Sequence, residues 1–302
     1  MLARMPSPER GNATLLIVGD VHGHWTDDDR RFLEEGDQDL VLFVGDLGDE
    51  DVEIVRAIAA IDVPKVVILG NHDAWQSFSK RRPTEQLLDS LSLLGDQHLA
   101  YGRYEVPAAG ITLIGGRPYS WGGVDLRSPE IYSELCGVRT MRQSAAKIVE
   151  LARQAEHKHL AILAHNGPIG LSSSPQDIYG KDFGRRPGGD WGDRDLALAI
   201  DQLRAGGRSL PAVIAGHMHD HLCAPHDGPR TRFVQQDGTT FINPAVVPRV
   251  RRFDGIGTLR HYVRTRWAEG RLLAVEEIWV DGSGVVCRCE APEIVPLESA
   301  PR

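Results

Sequence analysis

Side chains that divalent metal ions prefer recur in five short clusters along the 302-residue chain. The clusters read Gly19-Asp20-Val21-His22-Gly23, Gly45-Asp46-Leu47-Gly48-Asp49, Gly70-Asn71-His72-Asp73, His165 and Gly216-His217-Met218-His219. Asp20 and His22 lie at alternate positions, so both side chains can face one ion. Carboxylate, imidazole and amide ligands suit manganese, iron, zinc or nickel better than calcium or a soft copper site. We therefore expect a metal site.

The number of candidate ligands predicts two ions. The candidates are Asp20, His22, Asp46, Asn71, His165, His217 and His219. They exceed what one tetrahedral ion needs and match two ions that share a carboxylate. Two metals about 3.5–4 Å apart can clamp a phosphate group and activate a bridging hydroxide as the nucleophile. The expected cofactors are two divalent ions, with manganese favoured.

A phosphate ester also needs a proton donor for its leaving oxygen, and His72 suits this role. A histidine held by a carboxylate can donate a proton near neutral pH. His72 lies one position after Asn71, so its side chain should face away from an ion that Asn71 binds. We expect His72 to be the general acid.

Six short apolar runs are typical of buried β-strands and mostly end next to these clusters. They are residues 15–18, 40–44, 66–69, 111–114, 160–164 and 212–215. Segments with helical periodicity lie between them, at residues 51–61 and 140–155. Strands that alternate with helices predict a largely parallel sheet with both faces covered. Ligands gather beyond the carboxyl ends of such strands.

The chain is predicted to form one domain at residues 14–290, between a short tail at residues 1–13 and a frayed tail at residues 291–302. Residues 117–137 and 172–195 are predicted to be long surface loops. Loops of this length in a compact domain are either functional or plain insertions, and both interpretations stay open.

The composition excludes several classes of partner. A net charge of −8, without a basic stripe interleaved with aromatic residues, argues against nucleic-acid binding. No apolar run reaches the length of a signal peptide or a membrane span. The four cysteines are too sparse for a disulfide framework. We expect a cytoplasmic protein, or one of the plastid stroma if a transit peptide was removed; the oligomeric state is left open.

The clusters together resemble the motifs of a known family. Asp-x-His, Gly-Asp-x-x-Asp, Gly-Asn-His-Asp, a lone His and Gly-His-x-His, in this order, are similar to those of the calcineurin-like metallophosphoesterases. The motifs extend from Asp20 to His219, and some strings resemble a subgroup of cyanobacteria and plant plastids. The resemblance implies an α/β fold, a four-layer metallophosphoesterase sandwich in which two mixed β-sheets are flanked by helices.

By position, the resemblance also implies a role for each residue. One ion would be bound by Asp20, His22, Asp46 and His219, and the other by Asp46, Asn71, His165 and His217. Asp46 would bridge the two ions. The general acid of the family falls on His72, and its orienting carboxylate falls on Asp49.

The chain departs from the Ser/Thr protein phosphatases, which carry an arginine in the second motif where this chain has Gly48-Asp49-Glu50. Another cation would then hold the substrate. The candidates are Arg117, Arg185, Arg186 and Arg249. His24 is a further candidate for substrate contact, with an ordinary polar role as the alternative, and surface solvation is the alternative for the arginines.

These expectations lead to a metal-dependent phosphoesterase whose partner is a small phosphorylated substrate, which we expect to be a phosphomonoester. A phosphodiesterase acting on a nucleotide or a lipid headgroup is the alternative, because the same two metals serve either reaction. A catalytically silent scaffold of the same fold is less favoured, because every ligand position and His72 are filled.

Overall fold

The computed structural model describes residues 12–184 and 188–298, and in this part of the chain the strands form two seven-stranded sheets. The strands are β1 (Ala13–Val18), β2 (Leu40–Phe43), β3 (Lys65–Val67), β4 (Arg103–Val106), β5 (Ile111–Gly115), β6 (His159–Ala164), β7 (Ser209–Ala215), β8 (Phe233–Gln236), β9 (Thr239–Ile242), β10 (Val250–Phe253), β11 (Gly257–Ala268), β12 (Arg271–Val280), β13 (Val286–Glu290) and β14 (Val295–Pro296).

Each sheet combines parallel and antiparallel strands. The first has the order β13-β12-β11-β1-β2-β3, with β10 also paired to β11. Its strands β1, β2 and β3 are parallel, whereas β10 to β13 are joined antiparallel. The second has the order β14-β8-β9-β7-β6-β5-β4, with β5, β6, β7 and β9 parallel. Both sheets are therefore mixed.

Seven α-helices of the described residues flank these sheets. They are α1 (Asp27–Glu35), α2 (Val52–Ala59), α3 (Trp75–Lys80), α4 (Glu85–Leu94), α5 (Pro129–Cys136), α6 (Met141–Arg153) and α7 (Arg194–Ala205), and three short 3₁₀ turns lie at His72–Ala74, Gly95–Gln97 and Pro107–Ala109. The helices α6 and α7 pack together and contact β5 and β7 of the second sheet.

The alternation of side chains along the strands builds the layers. Leu15 and Ile17 of β1 pack with Leu163 of β6 in the core between the two sheets. Leu16 and Val18 point to the opposite face of the sheet and belong to the core under the helices. A strand buried on both faces must be apolar at every position, which explains the continuous apolar runs.

The structure confirms the predicted strands and the four-layer fold that the family resemblance implied. The expectation of one largely parallel sheet, drawn from the alternation of strands and helices, was incomplete. The C-terminal strands β10 to β13 follow one another without helices between them and complete the first sheet by antiparallel pairing. The pattern of strands and helices in the N-terminal half does not indicate these later antiparallel strands.

The prediction of a frayed C-terminal tail is wrong for part of it. Val295 pairs in parallel with Val234 of β8, and the Leu297 amide donates to the Gln235 carbonyl at 2.8 Å. An open strand edge offers such backbone pairing to any nearby segment. Residues 1–11 and 299–302 lie outside the described part of the chain. Among the described helices, none is both long enough and apolar enough to cross a membrane.

Candidate metal centre

The two sheets end side by side, and their strand ends bring the seven predicted ligands together. Asp20, His22, Asp46 and Asn71 follow β1, β2 and β3 of the first sheet, whereas His165, His217 and His219 follow β6 and β7 of the second. Three groups have potential ligand atoms within 4.8 Å of one another; one joins His22 to Asp49 and His72, and the other two consist of predicted ligands alone. Of these two, the first contains Asp20, His22 and His219, and the second contains Asp46, His165 and His217.

Asp46 lies between the two groups. Its Oδ2 is 3.7 Å from His22 Nε2, and its Oδ1 is 3.4 Å from His165 Nε2. Asn71 joins the second group, with its Oδ1 2.9 Å from His165 Nε2. Because each carboxylate oxygen faces a different group, Asp46 is placed to serve two ions at once.

The distances within each group fit a shared ion. Two ligand atoms that are each about 2.1 Å from one ion lie about 3 Å from each other. His22 Nε2 and His219 Nε2 are 3.1 Å apart, and His219 Nε2 is 3.7 Å from Asp20 Oδ2. The buried Nε2 of His217 has no hydrogen-bond partner among the described residues. A buried polar atom without a partner is costly, and coordination of a cation would satisfy it.

The electrostatics favour the ligand forms of the imidazoles. Burial and the neighbouring His22 lower the pKa of His219 to about 4. Burial also lowers the pKa of His22, of His165 and, to a larger extent, of His217. These rings are therefore neutral at pH 7, which is the form that binds metals. Burial and the charge of Asp46 raise the pKa of Asp20. The two carboxylates therefore repel one another, and a bound cation would offset this repulsion.

Hydrogen bonds fix the orientation of the ligand His165. Its Nδ1 lies 2.8 Å from the backbone carbonyl of Val44, which can only accept a hydrogen bond. The proton of the neutral ring is therefore on Nδ1, and Nε2 is left as the ligand atom.

The backbone around the ligands is strained and closely packed. His22, Asp46 and His217 adopt left-handed conformations, with φ of 45°, 48° and 69°. Such conformations cost about 1 kcal/mol or more each and concentrate at functional sites. The Asp46 carbonyl accepts hydrogen bonds from the amides of Val21 and His22 at 2.9 and 2.7 Å, which joins the first cluster to the second.

Gly70 is required by this packing. A Cβ atom there would lie 2.2 Å from Asp46 Oδ1 and 2.5 Å from His165 Cε1. Any other residue would therefore displace two of the proposed ligands, which explains a glycine directly before Asn71.

Asp73 is a supporting residue that the sequence analysis did not identify. Its Oδ1 accepts from the amides of Leu47 and Gly48 at 2.8 and 3.1 Å, and its Oδ2 accepts from the amide of Gly70 at 2.8 Å. The side chain is 2% exposed. Asp73 thus joins the second cluster to the third by hydrogen bonds. In the sequence, its position directly after Asn71-His72 was the feature that could have indicated this role.

His72 and Asp49 form the predicted pair. His72 Nδ1 lies 2.5 Å from Asp49 Oδ1, and the His72 amide donates to Asp46 Oδ1 at 2.8 Å. The His72 ring is partly exposed and lies 4.8 Å from the His22 ring, centroid to centroid. The carboxylate at Nδ1 orients the ring so that Nε2 is the free nitrogen.

A cavity of about 500 Å³ opens over Asp46, Asn71, His72, His217 and His219. Both predicted long loops contribute to its walls, including Trp121 to Asp125 from the first and Asp182, Phe183, Asp190 and Trp191 from the second. Trp75 of α3 completes an aromatic lining that the sequence analysis did not foresee. The Trp-Gly-Gly and Gly-Asp-Trp-Gly strings in the loops were its only signal.

Arg117 is buried and does not serve as a substrate contact, contrary to the expectation. Its side chain is 2% exposed, and it donates to Asp193 at 2.8 Å and to Asp195 at 2.9 Å. These partners lie at the start of α7, distant in sequence, so the pairing could not be predicted from the local pattern. Arg117 instead joins the beginning of the first loop to the end of the second.

Arg249 is likewise buried, and the proposal of a substrate contact is wrong there too. Its guanidinium pairs with Asp29 of α1 at 2.7 Å and donates to the backbone carbonyl of His24 at 3.1 Å. The side chain of His24 is exposed and is not among the residues that line the cavity, so its substrate role stays a prediction. Arg185 and Arg186 lie outside the described residues.

Arg230 was not singled out from the sequence, yet it joins a proposed ligand to the second loop. Its Nε donates to the His219 carbonyl at 2.8 Å. Its Nη1 donates to the carbonyls of Pro175, Asp177 and Gly180, and its Nη2 pairs with Asp182 at 3.1 Å. One buried guanidinium thus fixes both the end of the last cluster and the loop beside it.

The chain is similar to several solved structures of other proteins. One is 13% identical with a TM-score of 0.54, and the match covers 84% of this chain and 95% of the other. A dimetal phosphatase from Danio rerio is 14% identical, with 86% and 98% covered and a TM-score of 0.46. A mutant Vps29 from Entamoeba histolytica is 16% identical, with 92% and 97% covered and a TM-score of 0.39. The similarity to the first structure shows the fold alone.

No curated protein sequence matches the chain. A family model does, and its description is calcineurin-like phosphoesterase. The match spans residues 13–221, more than half of the chain, and includes the seven predicted ligands, Asp49 and His72. The chain therefore belongs to the calcineurin-like phosphoesterase family and is a metal-dependent phosphoesterase.

Proposed function

We propose that this phosphoesterase hydrolyses a small phosphomonoester at a centre of two divalent ions. The observation that carries the proposal is the position of Asp46, whose two oxygens face two separate groups of histidines. A single ion would leave one of these groups without a cation, whereas two ions satisfy both. The mixture of imidazole, carboxylate and amide ligands suits manganese, iron, zinc or nickel, and we propose manganese.

The ligand sets follow from the two groups. Asp20, His22, Asp46 and His219 would hold one ion. Asp46, Asn71, His165 and His217 would hold the other. When bound, such a pair supplies charge neutralisation for the phosphate oxygens and activates water for attack on phosphorus.

His72 supplies the proton that the leaving oxygen needs. Its Nδ1 is engaged by Asp49, so Nε2 is the nitrogen that can donate into the cavity. The Asp49 carboxylate, at 2.5 Å from Nδ1, holds the ring in this orientation. The leaving oxygen takes the Nε2 proton as its bond to phosphorus breaks.

The size of the cavity supports a small substrate. The cavity of about 500 Å³ lies within the range of sites for small molecules and has walls from both loops. A polymer would require an open groove across the site instead. A phosphodiester substrate is the second candidate, because the exposed Trp75 at the cavity offers contact area for a second ester group.

Two substrates that share a leaving group separate these candidates: p-nitrophenyl phosphate and bis(p-nitrophenyl) phosphate. The protein is stripped of metal with a chelator and reloaded with manganese, zinc, nickel or ferrous iron in turn. We expect activity only after reloading, and faster turnover of the monoester. Turnover of the diester alone would overturn the proposed substrate class. Absence of turnover with either ester and every metal would indicate a silent scaffold.

His72→Ala tests the acid. With an alkyl phosphate such as glycerol 3-phosphate, whose leaving alkoxide needs a proton, we expect turnover to fall by about a hundredfold or more, while metal content stays unchanged. His157→Ala is the matched control, because His157 precedes β6 at the end opposite to His165. Turnover of His72→Ala equal to that of the control would remove His72 from the mechanism.

A further inference from the structure

We propose that the alcohol part of the ester carries a planar aromatic ring that stacks on Trp75. This inference rests on the proposed function, because it places the ring relative to the proton donor of that reaction. It starts from the exposure of Trp75, which is 46% exposed although it lines the cavity. An indole left open inside a ligand cavity offers a large, rigid contact surface that a ligand ring can cover.

The position of Trp75 fits the group attached to the leaving oxygen. The ring of Trp75 lies 4.9 Å from the His72 ring, centroid to centroid, and the two planes differ by 33°. The two residues are three positions apart on consecutive helical turns, so they face the same side. An oxygen that receives the His72 proton must lie beside this ring, and so must the carbon skeleton bonded to that oxygen.

The other aromatic side chains of the cavity are less exposed than Trp75, because Phe183 is 38% exposed and Trp121 and Trp191 are half-buried. The Arg127 guanidinium lies 3.8 Å from the Trp121 ring centroid, and the Lys181 ammonium lies 4.4 Å from that of Trp191. Phe183 packs edge-on against Trp191 at 5.6 Å. Trp121 lies 4.8 Å from Trp75 and forms the wall behind it. Trp75 therefore has the most accessible ring surface near His72.

Hydrogen bonds and close packing hold the wall in one arrangement. Trp191 Nε1 donates to the Trp121 carbonyl at 2.8 Å, and the Gly123 amide donates to the Trp191 carbonyl at 2.9 Å. Gly122, at φ of 69°, lies so close to Trp191 that a Cβ would be 2.3 Å from its Cδ1. A preformed wall loses little entropy when it binds a ring, which favours selection of planar groups.

Adenosine 5′-monophosphate and ribose 5-phosphate provide a matched pair of probes. Both are monoesters of a ribose 5′-oxygen, so their leaving groups are alike, and they differ in the planar base. Stacking of one base supports a preference of about tenfold or more in kcat/KM for the nucleotide. We expect Trp75→Leu to bring this ratio close to one and Trp75→Phe to retain most of it. Trp279→Ala, at a tryptophan of β12 outside the cavity lining, should leave the ratio unchanged.

A titration of intrinsic tryptophan fluorescence tests the subsite without turnover. Adenosine, which carries no phosphate, should quench the wild type and Trp279→Ala, and ribose should not. Quenching should disappear in Trp75→Leu. A wild-type ratio near one with ribose 5-phosphate hydrolysed would overturn the subsite and leave the proposed function standing. If neither ester is hydrolysed, turnover of p-nitrophenyl phosphate still decides the proposed function, and the adenosine titration alone decides the subsite.

Discussion

The guanidinium of Arg230 donates a hydrogen bond of 2.8 Å to the backbone carbonyl of His219. Because the same side chain holds three carbonyls of the second loop and pairs with Asp182, it sets the position of a proposed ligand relative to a cavity wall. The position of a proposed ligand and of a cavity wall thus depends on one buried residue that does not line the cavity.

Arg230→Gln should therefore weaken metal binding without removing a ligand. Loss of residues that orient ligands typically costs about 10–100-fold in metal affinity, and we expect about tenfold here. Metal titration followed by calorimetry measures it. Arg208→Gln is the control, because Arg208 also donates to backbone carbonyls but far from the site, at His157 and Arg153. Equal affinities of the two variants would contradict a positioning role.

Asp46→Ala and Asp20→Ala should differ in metal stoichiometry. Asp46 faces both groups of histidines, so its loss should reduce the bound metal below one ion per chain. Asp20 belongs to one group, so its loss should leave about one ion. Elemental analysis after gel filtration gives the counts. Two ions retained by Asp46→Ala would exclude a bridging role.

Asp73→Asn should destabilise the fold. The carboxylate accepts three backbone hydrogen bonds, whereas an amide has one acceptor oxygen and turns donor protons toward buried amides. Leaving buried donors unsatisfied costs about 1–3 kcal/mol each, so we expect a loss of about 2–4 kcal/mol. Urea denaturation of the metal-free protein measures the change. A loss below about 1 kcal/mol would mean that the three hydrogen bonds to Asp73 contribute little to the free energy of unfolding.

Arg117→Ala should cost stability rather than substrate affinity. Removal of the guanidinium leaves Asp193 and Asp195 buried without their cation, and breaking a buried pair in this way costs about 3–5 kcal/mol. The triple variant with Asp193→Asn and Asp195→Asn should recover part of this loss. A KM that rises for Arg117→Ala at unchanged stability would restore Arg117 as a substrate contact.

The pKa of Glu277 should make the free energy of unfolding depend on pH in the acid range. Burial alone would raise the pKa of Glu277, but the hydrogen bond from His261 and the charge of Arg232 lower it from 4.5 to about 2. Burial lowers the pKa of His261, so its neutral ring donates to Glu277 through Nε2, at 2.8 Å. A depressed carboxyl pKa contributes stability above about pH 4.5, and this contribution is lost as the pH falls toward 2.

Glu277→Gln isolates this contribution. The pKa shift corresponds to at most about 3 kcal/mol in the free energy of unfolding at pH 7. The difference between the wild type and the variant should therefore be largest near pH 6–7 and shrink as the pH falls from 4.5 to 2. Denaturation curves at several pH values test this, and a difference that stays constant with pH would refute the depressed pKa.

The sequence alone predicted the candidate ligands, the candidate proton donor and the strands that carry them, and the structure confirms the strands. Asp20, Asp46 and Asn71 follow apolar runs directly, and a run buried on both faces needs no knowledge of its neighbours to be recognised as a strand. The carboxyl ends of parallel strands lie on the same edge of a sheet, so the convergence of these residues could be expected.

Only the tertiary structure decided what lies around the centre. Arg117 forms ion pairs with Asp193 and Asp195, and Arg249 forms one with Asp29. These partners lie far away in the sequence. Other contacts also join segments that are separate along the chain: those between Trp121 and Trp191, the hydrogen bond from Arg230 to His219, and the pairing of β14 with β8. Local patterns record which face of an element is apolar, but they do not record which distant side chain will neutralise a buried charge or cover a ring.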